Sequence, residues 1–571
     1  MFKEALACHQ AGNLNEAERL YRRLLAREPA HTDAMHLLGL ILSEQGEQEQ
    51  AVRLISRASE LRPNTALYLA NLGLALRRAG KLEEAVERYR SALRLDPRNA
   101  ATHFKLGSAL RDLQSTAEAE GAYQRALALD PEHIEARYER ANALHLLNRH
   151  EEAIAEYREV IRRDALHAEA HFNLAVTLMM ERRIEQAEEA YRRALELHPD
   201  HAQAFNNLGH ILQAKGRFEE ALQCYRHSLV IKPDYLEPQY NLGVALQSQD
   251  RFEESAEAYR AVLQRDPLHA DAHNNLGSIY LAMNALPESI ACYERAVAIA
   301  PEHHDAPWNL GLAHLTVGNW KEGWKGYDWR FRMNPKLSRQ MPCPQWQGEP
   351  LDGKTILLVA EQGLGDTLQF VRYRKELERR GAITVLDAQE RLRPLFGPMQ
   401  PAPYDYYAHL MSVPGLLDGP IPADVPYLHV VPAELGPGFK VGLCWSGNAS
   451  NKNDRYRSMQ QHDAALLEAI DGVRWFSLQQ KEGDTLLQTA STVAGLDLVI
   501  TVDTMIAHLA GALGRPVWTM LCFAADWRWM LDREDTPWYP TMRLFRQRRR
   551  GDWAEVIGRV RQELCKLMPP T

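Results

Sequence analysis

Three segments in the second half of the chain carry residue types that could bind a phosphorylated ligand. Residues 361–366 read EQGLGD and lie between a short apolar run and a helical pattern. Residues 446–458 form a longer polar loop, SGNASNKNDRYRS, with three cationic side chains. Residues 502–516 read VDTMIAHLAGALGRP and begin at the end of an apolar run. Open α/β sheets bind ligands at the carboxyl ends of their strands, where these segments would lie.

The hydrophobic pattern around these segments predicts two α/β lobes, residues 354–436 and 437–571. Short, mostly apolar runs are typical of buried parallel strands. Residues 391–438 are rich in proline and give no clear assignment. The tryptophans near Trp527 are predicted to lie in the core, and the basic run 546–550 in a solvated loop. Strands are predicted at 354–360, 382–386, 439–445, 473–478, 496–502 and 516–521, and helices at 367–380, 505–513 and 553–567.

Several polar residues of these segments have both a functional and a structural interpretation. Thr504 would precede the 505–513 helix, whose free N–H groups and dipole favour a bound phosphate. Asp366 could act on a substrate, or it could cap the helix that follows it. His508 could serve the site or be a structural histidine. The EQGLGD loop lacks the full GxGxxG pattern, so alone it indicates no more than a tight turn.

The first half of the chain is a repeat of 34 residues. Small residues would let two helices cross closely, tyrosine would fill the groove beside the crossing, and proline would separate the units. The pattern resembles the tetratricopeptide repeat over about residues 1–333 and predicts a superhelical α-solenoid. The repeat is marked by a glycine, a tyrosine and a proline at fixed positions, as in Gly73, Tyr89 and Pro97 and again in Gly107, Tyr123 and Pro131.

An asparagine recurs on the first helix of six repeats, two residues before the small residue. An amide offers donor and acceptor groups, and a ladder of amides could hold an extended peptide by its backbone. The alternative is that asparagine is merely common at this position. The predicted peptide-binding residues are Asn71, Asn173, Asn207, Asn241, Asn275 and Asn309. The last repeat departs from the pattern: residues 319–331 are crowded with aromatics, which favours docking on another domain, and residues 334–353 are predicted to be a linker.

The AEQGLGD, WSGN…KNDRYRS and VDTMIAHLAGALGRP segments resemble the heptosyltransferase-like glycosyltransferases of family 9. The whole chain is similar to bacterial proteins that fuse tetratricopeptide repeats to such a domain, flagellin glycosyltransferases among them. The resemblance implies the two-lobed GT-B architecture and transfer of a sugar from a nucleotide sugar. The N-terminal lobe would bind the acceptor and the C-terminal lobe the donor.

The resemblance also implies roles for individual residues. Asp366 would be the general base that removes the proton of the acceptor hydroxyl. Arg457 would bind the diphosphate, because a guanidinium is a fixed fork of donors. The other donor-binding residues that it implies are Trp445, Ser446, Gly447, Lys452, Arg455, Gln479, Asp503, Thr504 and His508.

No DxD triplet, the metal-holding motif of the other main glycosyltransferase architecture, occurs in the chain. Activity without a metal or another cofactor is therefore expected, with arginine and a helix dipole neutralising the leaving group. Residues 354–571 number 218 (571 − 354 + 1), which is short for two nucleotide-binding lobes. Relative to the family, chain is missing after residue 386 and between residues 479 and 496, so the domain is predicted to be trimmed.

Composition narrows the remaining classes of function. With 571 residues, 45% of them hydrophobic and 25% charged, the chain has the balance of a folded protein of several domains. A net charge of −8 gives no general attraction to nucleic acid or anionic lipid. No apolar run is long enough for a membrane span. Seven scattered cysteines without a CxxC pair fit a reducing cytoplasm.

The leading hypothesis is a glycosyltransferase that modifies Ser or Thr hydroxyls of a protein held in the repeat groove. One alternative is a scaffold whose α/β domain is inactive. Another is transfer to a lipopolysaccharide-type glycan. Repeat arrays can also pair with themselves, so the oligomeric state stays open.

Overall fold

The computed structural model describes residues 1–397, 399, 403–417, 419–448, 454–479 and 483–567. The chain divides into two compact units, Met1–Asn241 and Leu242–Thr571. The division falls inside the repeat array, so the last repeats belong to the same unit as the α/β residues. The predicted boundary at residues 333 and 334 instead marks where the helical repeats give way to the linker ahead of the sheets.

The first unit consists of paired helices. At three of its crossings a glycine meets a buried tyrosine: a methyl group on Gly73 would lie 2.8 Å from Tyr89 Cε1, one on Gly107 would lie 2.6 Å from Tyr123 Cε1, and one on Gly209 would lie 2.7 Å from Tyr225 Cε1. Only a residue without a side chain lets the two helices approach this closely. The helices are α1 (Phe2–Gln10), α2 (Leu14–Arg27), α3 (Thr32–Glu44), α4 (Gln48–Leu61), α5 (Ala66–Arg78), α6 (Leu82–Leu95), α7 (Ala100–Asp112), α8 (Thr116–Leu129), α9 (Ile134–Leu146), α10 (His150–Arg163), α11 (Ala168–Met180), α12 (Ile184–Leu197), α13 (Ala202–Ala214) and α14 (Phe218–Ile231).

The second unit begins with the remaining repeats. The boundary between the units lies in α15 (Leu236–Ser248). The glycine–tyrosine crossing continues, with Gly277 facing the ring of Tyr293. The helices that follow are α16 (Phe252–Arg265), α17 (Ala270–Ala282), α18 (Leu286–Ile299), α19 (Ala306–Thr316), α20 (Trp320–Tyr327) and α21 (Arg330–Met333).

The N-terminal lobe has a parallel sheet of three strands in the order β2-β1-β3. The strands are β1 (Thr355–Val359), β2 (Ile383–Asp387) and β3 (Tyr406–His409), and the helices are α22 (Leu364–Phe370), α23 (Tyr373–Arg379), α24 (Arg393–Phe396) and α25 (Val413–Leu417). The predicted helix 367–380 is two helices. The break lies at Arg372, a buried arginine whose Nε donates to the Gln369 carbonyl at 2.8 Å. Strand β3 lies in the proline-rich region that gave no assignment.

The C-terminal lobe has a parallel sheet of five strands in the order β5-β4-β6-β7-β8. The strands are β4 (Phe439–Cys444), β5 (Val473–Ser477), β6 (Leu498–Val502), β7 (Val517–Leu521) and β8 (Met542–Arg546), and the helices are α26 (Asp454–Arg457), α27 (Gln461–Glu468), α28 (Leu486–Ala494), α29 (Met505–Ala512) and α30 (Trp553–Leu567). The predicted fold class, helical repeats followed by an α/β domain with parallel sheets, is thus confirmed.

The basic run 546–550 was expected to be a solvated loop. Arg548, Arg549 and Arg550 are exposed, as expected, and the prediction is wrong for Arg546. Arg546 ends strand β8, and its Nη2 donates to the carbonyls of Trp529 and Met530 at 3.1 and 2.7 Å. The Arg550 guanidinium lies 4.5 Å from the ring centre of Phe252. The Arg546 guanidinium thus bonds backbone carbonyls, although the sequence suggested that it faces solvent, and Arg550 contacts an aromatic ring. The tryptophans are core residues as predicted: Trp529 and Trp538 are fully buried.

The aromatic segment 319–331 joins the last repeat to both lobes. Trp324 makes edge-on contacts with Phe370 of the N-terminal lobe and Trp527 of the C-terminal lobe, with ring centres 5.9 and 5.5 Å away. Arg330 is buried and donates to Glu361 and to the Ser412 hydroxyl at 2.8 and 2.7 Å. The segment thus has the docking role that its composition favoured.

The predicted linker, residues 334–353, is packed against the N-terminal lobe. Trp346 is almost completely buried, its backbone N–H donates to the Tyr407 carbonyl at 2.8 Å, and its indole N–H donates to the Glu349 carbonyl at 2.8 Å. The segment has no helical period, as predicted, but Trp346 fixes it beside strand β3.

Candidate functional site

A cavity of about 900 Å³ lies between the two lobes, at the carboxyl ends of strands from both sheets. We call it the interlobe cavity. It is bordered by the start of α22, the loop after β4, the end of β5, the start of α29 and the segment 526–528. The structure brings eight of the eleven residues predicted to act in catalysis or donor binding to this cavity: Asp366, Ser446, Gly447, Arg457, Gln479, Asp503, Thr504 and His508.

Close packing of α22 on α29 places the starts of these two helices side by side at the cavity. A methyl group on Gly365 would lie 3.0 Å from His508 Cδ2 and 3.4 Å from Met505 Cα. The second glycine of the EQGLGD loop is therefore required by helix packing. This contact brings the start of α22 from one lobe against α29 from the other.

The Asp366 carboxylate accepts hydrogen bonds from the start of its own helix and from a buried arginine. Gly363 is the N-cap of α22, and its backbone N–H donates to Asp366 Oδ2 at 2.9 Å. Arg528 Nη2 donates to the other oxygen, Oδ1, at 2.6 Å. Burial raises the pKa of the Asp366 carboxyl, while the charge of Arg528 opposes the shift. Asp366 is therefore not the N-cap that the sequence suggested: it is the third residue of α22, it accepts from the N–H of the N-cap Gly363, and it faces the cavity.

Arg528 links Asp366 to a second carboxylate, Asp526. Arg528 Nη1 and its backbone N–H donate to Asp526 Oδ1 at 2.8 and 3.0 Å. Arg528 is buried, whereas the Asp526 side chain is 37% exposed. Both oxygens of Asp366 are thus hydrogen-bonded within the protein, and the bonds of Asp526 fall on Oδ1.

Asp503 lies near the same cluster and has a perturbed acidity. Burial, followed by the charge of Asp526, raises the pKa of Asp503 to about 6, and Arg457 opposes the shift. Two carboxylates close together disfavour ionisation of both. The cavity therefore holds a carboxyl group that changes charge near neutral pH.

Arg457 ends the short helix α26 and is held at the cavity wall by Asp454. Its Nε donates to Asp454 Oδ1 at 3.2 Å, and its side chain is 21% exposed. Gly447 lies beside both groups, and its backbone N–H donates to the Ser458 hydroxyl at 2.9 Å. A methyl group on Gly447 would lie 2.5 Å from Asp454 Oδ1 and 2.8 Å from Arg457 Nη2. The absence of a side chain at position 447 is thus what leaves room for the guanidinium.

Replacing Gly447 by alanine is expected to lower the free energy of unfolding by about 1–3 kcal/mol, the usual cost of overpacking by one methyl group. The thermal midpoint of unfolding would measure the change. Gly558 in α30 is the matched control, since a methyl group there meets nothing within 4 Å. Equal thermal midpoints of G447A and G558A would contradict the close approach.

Thr504 and His508 occupy the first turns of α29 in different roles. Thr504 is the N-cap, and its hydroxyl accepts from the Ile506 N–H at 3.3 Å. His508 Nδ1 bonds the Tyr539 hydroxyl at 3.0 Å, and its ring stacks on Trp529. Burial lowers the pKa of His508 well below its usual value. A neutral, fully packed imidazole fits the structural interpretation of this residue, so the helix terminus supplies the positive field here without a histidine charge.

Gln479 and Ser446 connect the ends of neighbouring strands β5 and β4. The Gln479 amide donates to the Ser446 hydroxyl, and its carbonyl accepts from the Cys444 thiol at 2.9 Å. These contacts fix one end of the interlobe cavity with amide and hydroxyl groups that a ribose or a base could bind.

Three predicted donor-binding residues do not line the described cavity. Trp445 packs against the core of the C-terminal lobe. Arg455 points to a repeat, where its Nη2 donates to Asp250 Oδ1 at 3.3 Å. Lys452 lies outside the described residues. Sequence reasoning in turn missed Asp526 and Arg528; the only signal was a charge on each side of Trp527, in a segment interpreted as core.

Models of the tetratricopeptide repeat match residues 9–72, 73–114, 104–165, 138–186, 166–234, 200–267 and 240–304. Residues 9–304 are tetratricopeptide repeats. Protein FlbA of Caulobacter vibrioides is 31% identical over 318 aligned residues, which cover 43% of this chain and 52% of FlbA. The chain thus spans about half the length of this curated relative.

Two solved structures that are similar to part of the chain are YrrB and PilF. YrrB, described as a TPR protein with an unusual peptide-binding site, is 24% identical with a TM-score of 0.31, and the match covers 34% of this chain and 97% of YrrB. PilF of Pseudomonas aeruginosa is 23% identical with a TM-score of 0.33, over 38% of this chain and 97% of PilF.

The asparagines of the tetratricopeptide repeats bond to neighbouring side chains of the array. Four of them donate from Nδ2 to a residue 35 positions earlier: Asn71 to His36 at 2.8 Å, Asn173 to Tyr138 at 2.9 Å, Asn241 to Asn206 at 3.1 Å and Asn309 to Asn274 at 2.9 Å. The other two donate to the repeat tyrosine: Asn207 to Tyr191 at 3.1 Å and Asn275 to Tyr259 at 3.3 Å. All six are half-buried. The ladder therefore links repeats to each other, and its role in peptide binding stays a prediction.

Removing one of these bonds is expected to lower stability by about 1 kcal/mol, since that is the usual net contribution of a hydrogen bond. Asn309 and Asn274 form a suitable pair because Asn309 Nδ2 donates to Asn274 Oδ1 and Asn274 is buried. N274A should lower the thermal midpoint more than N309A, because Asn274 also donates to Asn275, and the double variant should lose less than the sum of the two single losses. Strictly additive losses would show that the pair is not coupled.

Two further properties concern the described part of the chain alone. None of its helices combines the length and apolarity that crossing a bilayer requires. It also contains no group of three or more His, Cys, Asp or Glu side chains arranged to hold a metal ion.

Proposed function

We propose that the protein is a glycosyltransferase that moves a sugar from a nucleotide sugar to a hydroxyl group of a protein. The observation that supports this most is that Arg457 and the start of α29 border one cavity between two α/β lobes. A fixed guanidinium and a helix N-terminus together suit a diphosphate. The EQGLGD, KNDRYRS and VDTMIAHLAGALGRP segments, which resemble family 9, all contribute to this region.

The chemistry follows from where charge develops. The acceptor oxygen forms a bond to the anomeric carbon while the bond from that carbon to the phosphate oxygen breaks, and the electron pair leaves with the nucleoside diphosphate. Arg457 and the N–H groups at the start of α29 would stabilise the growing negative charge. Gln479 and Ser446 would hold the nucleoside end. The acceptor proton would pass to a carboxylate of the cluster around Arg528, and the resemblance assigns this role to Asp366.

The repeats supply the protein-binding half of the proposal. Tetratricopeptide arrays typically bind peptides or proteins along their first-helix face. A small-molecule acceptor would have no use for nearly ten repeats. A protein carrying Ser or Thr hydroxyls is therefore the proposed acceptor.

The decisive experiment offers the full-length protein a panel of UDP-, GDP-, ADP- and CMP-sugars. Calorimetry should detect binding of one class, and that donor should be hydrolysed slowly without an acceptor. Both should persist in EDTA, because arginine and the helix terminus supply the positive charge. A loss of hydrolysis in EDTA that manganese restores would refute metal-independent transfer.

A scaffold with an inactive α/β domain is the competing function. The bonds that occupy both oxygens of Asp366 favour it, since such a carboxylate is a poor base. Failure of every nucleotide sugar to bind would establish the scaffold.

A further inference from the structure

A second cavity, of about 1220 Å³, lies between the last repeats and the C-terminal lobe. We call it the repeat-side cavity. One wall is formed by the first helices of three successive repeats, α15, α17 and α19, through residues such as Val244, Ser248, Ser278 and Thr316. The other wall is formed by α26 and by the loops around Phe523 and Arg550. All of these residues belong to the second compact unit.

The repeat-side cavity and the interlobe cavity share part of their lining. Leu312, Arg457, Asp503, Asp526 and Trp527 border both. A chain lying along the three repeat helices would therefore meet the interlobe cavity beside two carboxylates, at the position of the proposed diphosphate ligand Arg457.

The walls of the repeat-side cavity are tied together at several points. Asn284 Nδ2 donates to the Phe523 carbonyl at 2.8 Å. Arg550 donates to the Ala282 carbonyl. The Arg455 guanidinium and the Tyr456 hydroxyl both bond Asp250. These bonds fix the shape of the cavity. Arg455 and Arg550 are the arginines that hold its walls together.

The lining indicates the class of ligand. It alternates amide and hydroxyl groups, such as Gln247 and Ser248, with aromatic faces, such as Phe252 and Trp553. Amides and hydroxyls suit a peptide backbone. The charges nearby are paired, so the wall lacks the row of open cations that a nucleic acid or an anionic lipid requires. The volume also exceeds the range of ordinary small-molecule pockets.

We propose that the repeat-side cavity binds an extended segment of the acceptor protein and delivers its Ser or Thr hydroxyl to Asp526. This rests on the proposed transferase function and assigns its acceptor site and acceptor-facing carboxylate. The hydroxyl proton passes to Asp526, the oxygen bonds to the anomeric carbon, and the nucleoside diphosphate leaves with its electron pair. Asp526 and Asp503 border both cavities, whereas Asp366 borders only the interlobe cavity, and Asp526 suits the step because its side chain is 37% exposed and its bonds fall on Oδ1.

The test blocks the cavity far from the proposed diphosphate site. Ser248 ends α15 and is exposed, so tryptophan there fills the cavity without disturbing the core. A pool of Ser- and Thr-containing dodecapeptides and a donor that the wild type hydrolyses serve as probes. S248W should label peptides at least tenfold less than the wild type, relative to donor hydrolysis. V244W, on the same helix, should behave alike.

Leu268 is the matched control, because it is 64% exposed, lies between α16 and α17 and lines neither cavity. L268W should label peptides at the wild-type ratio. Equal labelling by S248W, V244W and L268W would overturn the assignment of the cavity. So would a wild type that hydrolyses the donor but labels only a glycan acceptor and no peptide. Absence of donor hydrolysis in every protein would instead refute the proposed transferase function.

Discussion

Replacing Arg457 by alanine is expected to weaken donor binding at least about 100-fold, the largest loss of affinity at any single position. Removing one partner of a buried, hydrogen-bonded charge pair typically costs about 2–5 kcal/mol of binding free energy. A cost of about 2.7 kcal/mol corresponds to a 100-fold loss of affinity. Arg457 is mostly buried and borders the interlobe cavity, so water replaces it poorly. Calorimetric titration of the donor identified for the wild type measures the effect.

Arg455 provides an unusually close control. It lies two residues away in the same short helix, carries the same charge and bonds Asp250 in a repeat. R455A should change donor affinity less than threefold, because it borders the repeat-side cavity alone. Equal losses in R455A and R457A would mean that general electrostatics governs donor affinity, and the diphosphate site would then lie elsewhere.

Segments with a strong local pattern were predictable from the sequence. Gly73 and Tyr89 predict a helix crossing, because a methyl group on Gly73 would lie 2.8 Å from Tyr89 Cε1. Strand β6 and helix α29 were placed within two residues, since an apolar run followed by a threonine N-cap is a local signal. The same signal located Thr504 and Asp503 in the candidate site.

Elements whose identity depends on distant contacts were not predictable. Strand β8 mixes charged and apolar residues and was missed, because its arginines find distant partners: Arg546 donates to the Met530 carbonyl and Arg543 to the Glu563 carboxylate. Arg455 and Arg457 are alike in sequence, yet one bonds a repeat and the other the cavity wall. The hydrogen bonds of the asparagine ladder were not predictable for the same reason: Asn309 donates to Asn274, one repeat away, where only the packed array brings the partner into reach.

Replacing Asp526 by asparagine is expected to reduce the rate of transfer at least about 100-fold while donor affinity changes little. Loss of a general base typically costs 10²–10⁴ in rate. Asparagine keeps the size of the side chain and a carbonyl oxygen for Arg528, so folding should survive. Single-turnover transfer to a labelled peptide measures the rate, and calorimetry the donor affinity.

D366N separates this assignment from the one implied by the resemblance. Both carboxylates bond Arg528, so both variants disturb the same arginine, and their thermal midpoints should be compared first. If D366N alone abolishes transfer and D526N transfers normally, Asp366 is the base and Asp526 only positions Arg528. If D526N alone abolishes transfer, Asp526 is the base.

A pH titration of donor affinity tests whether the charges of Asp526 and Asp503 interact. The pKa of Asp503 is raised to about 6, in part by the charge of Asp526. An ionised Asp503 repels a diphosphate, so donor binding should weaken as the pH rises through about 6 in the wild type. Removing the Asp526 charge lowers the pKa of Asp503, and the weakening should then begin at lower pH in D526N. An unshifted titration would mean that the two carboxylates do not interact. The lining that the two cavities share could then not place both carboxylates at an acceptor hydroxyl.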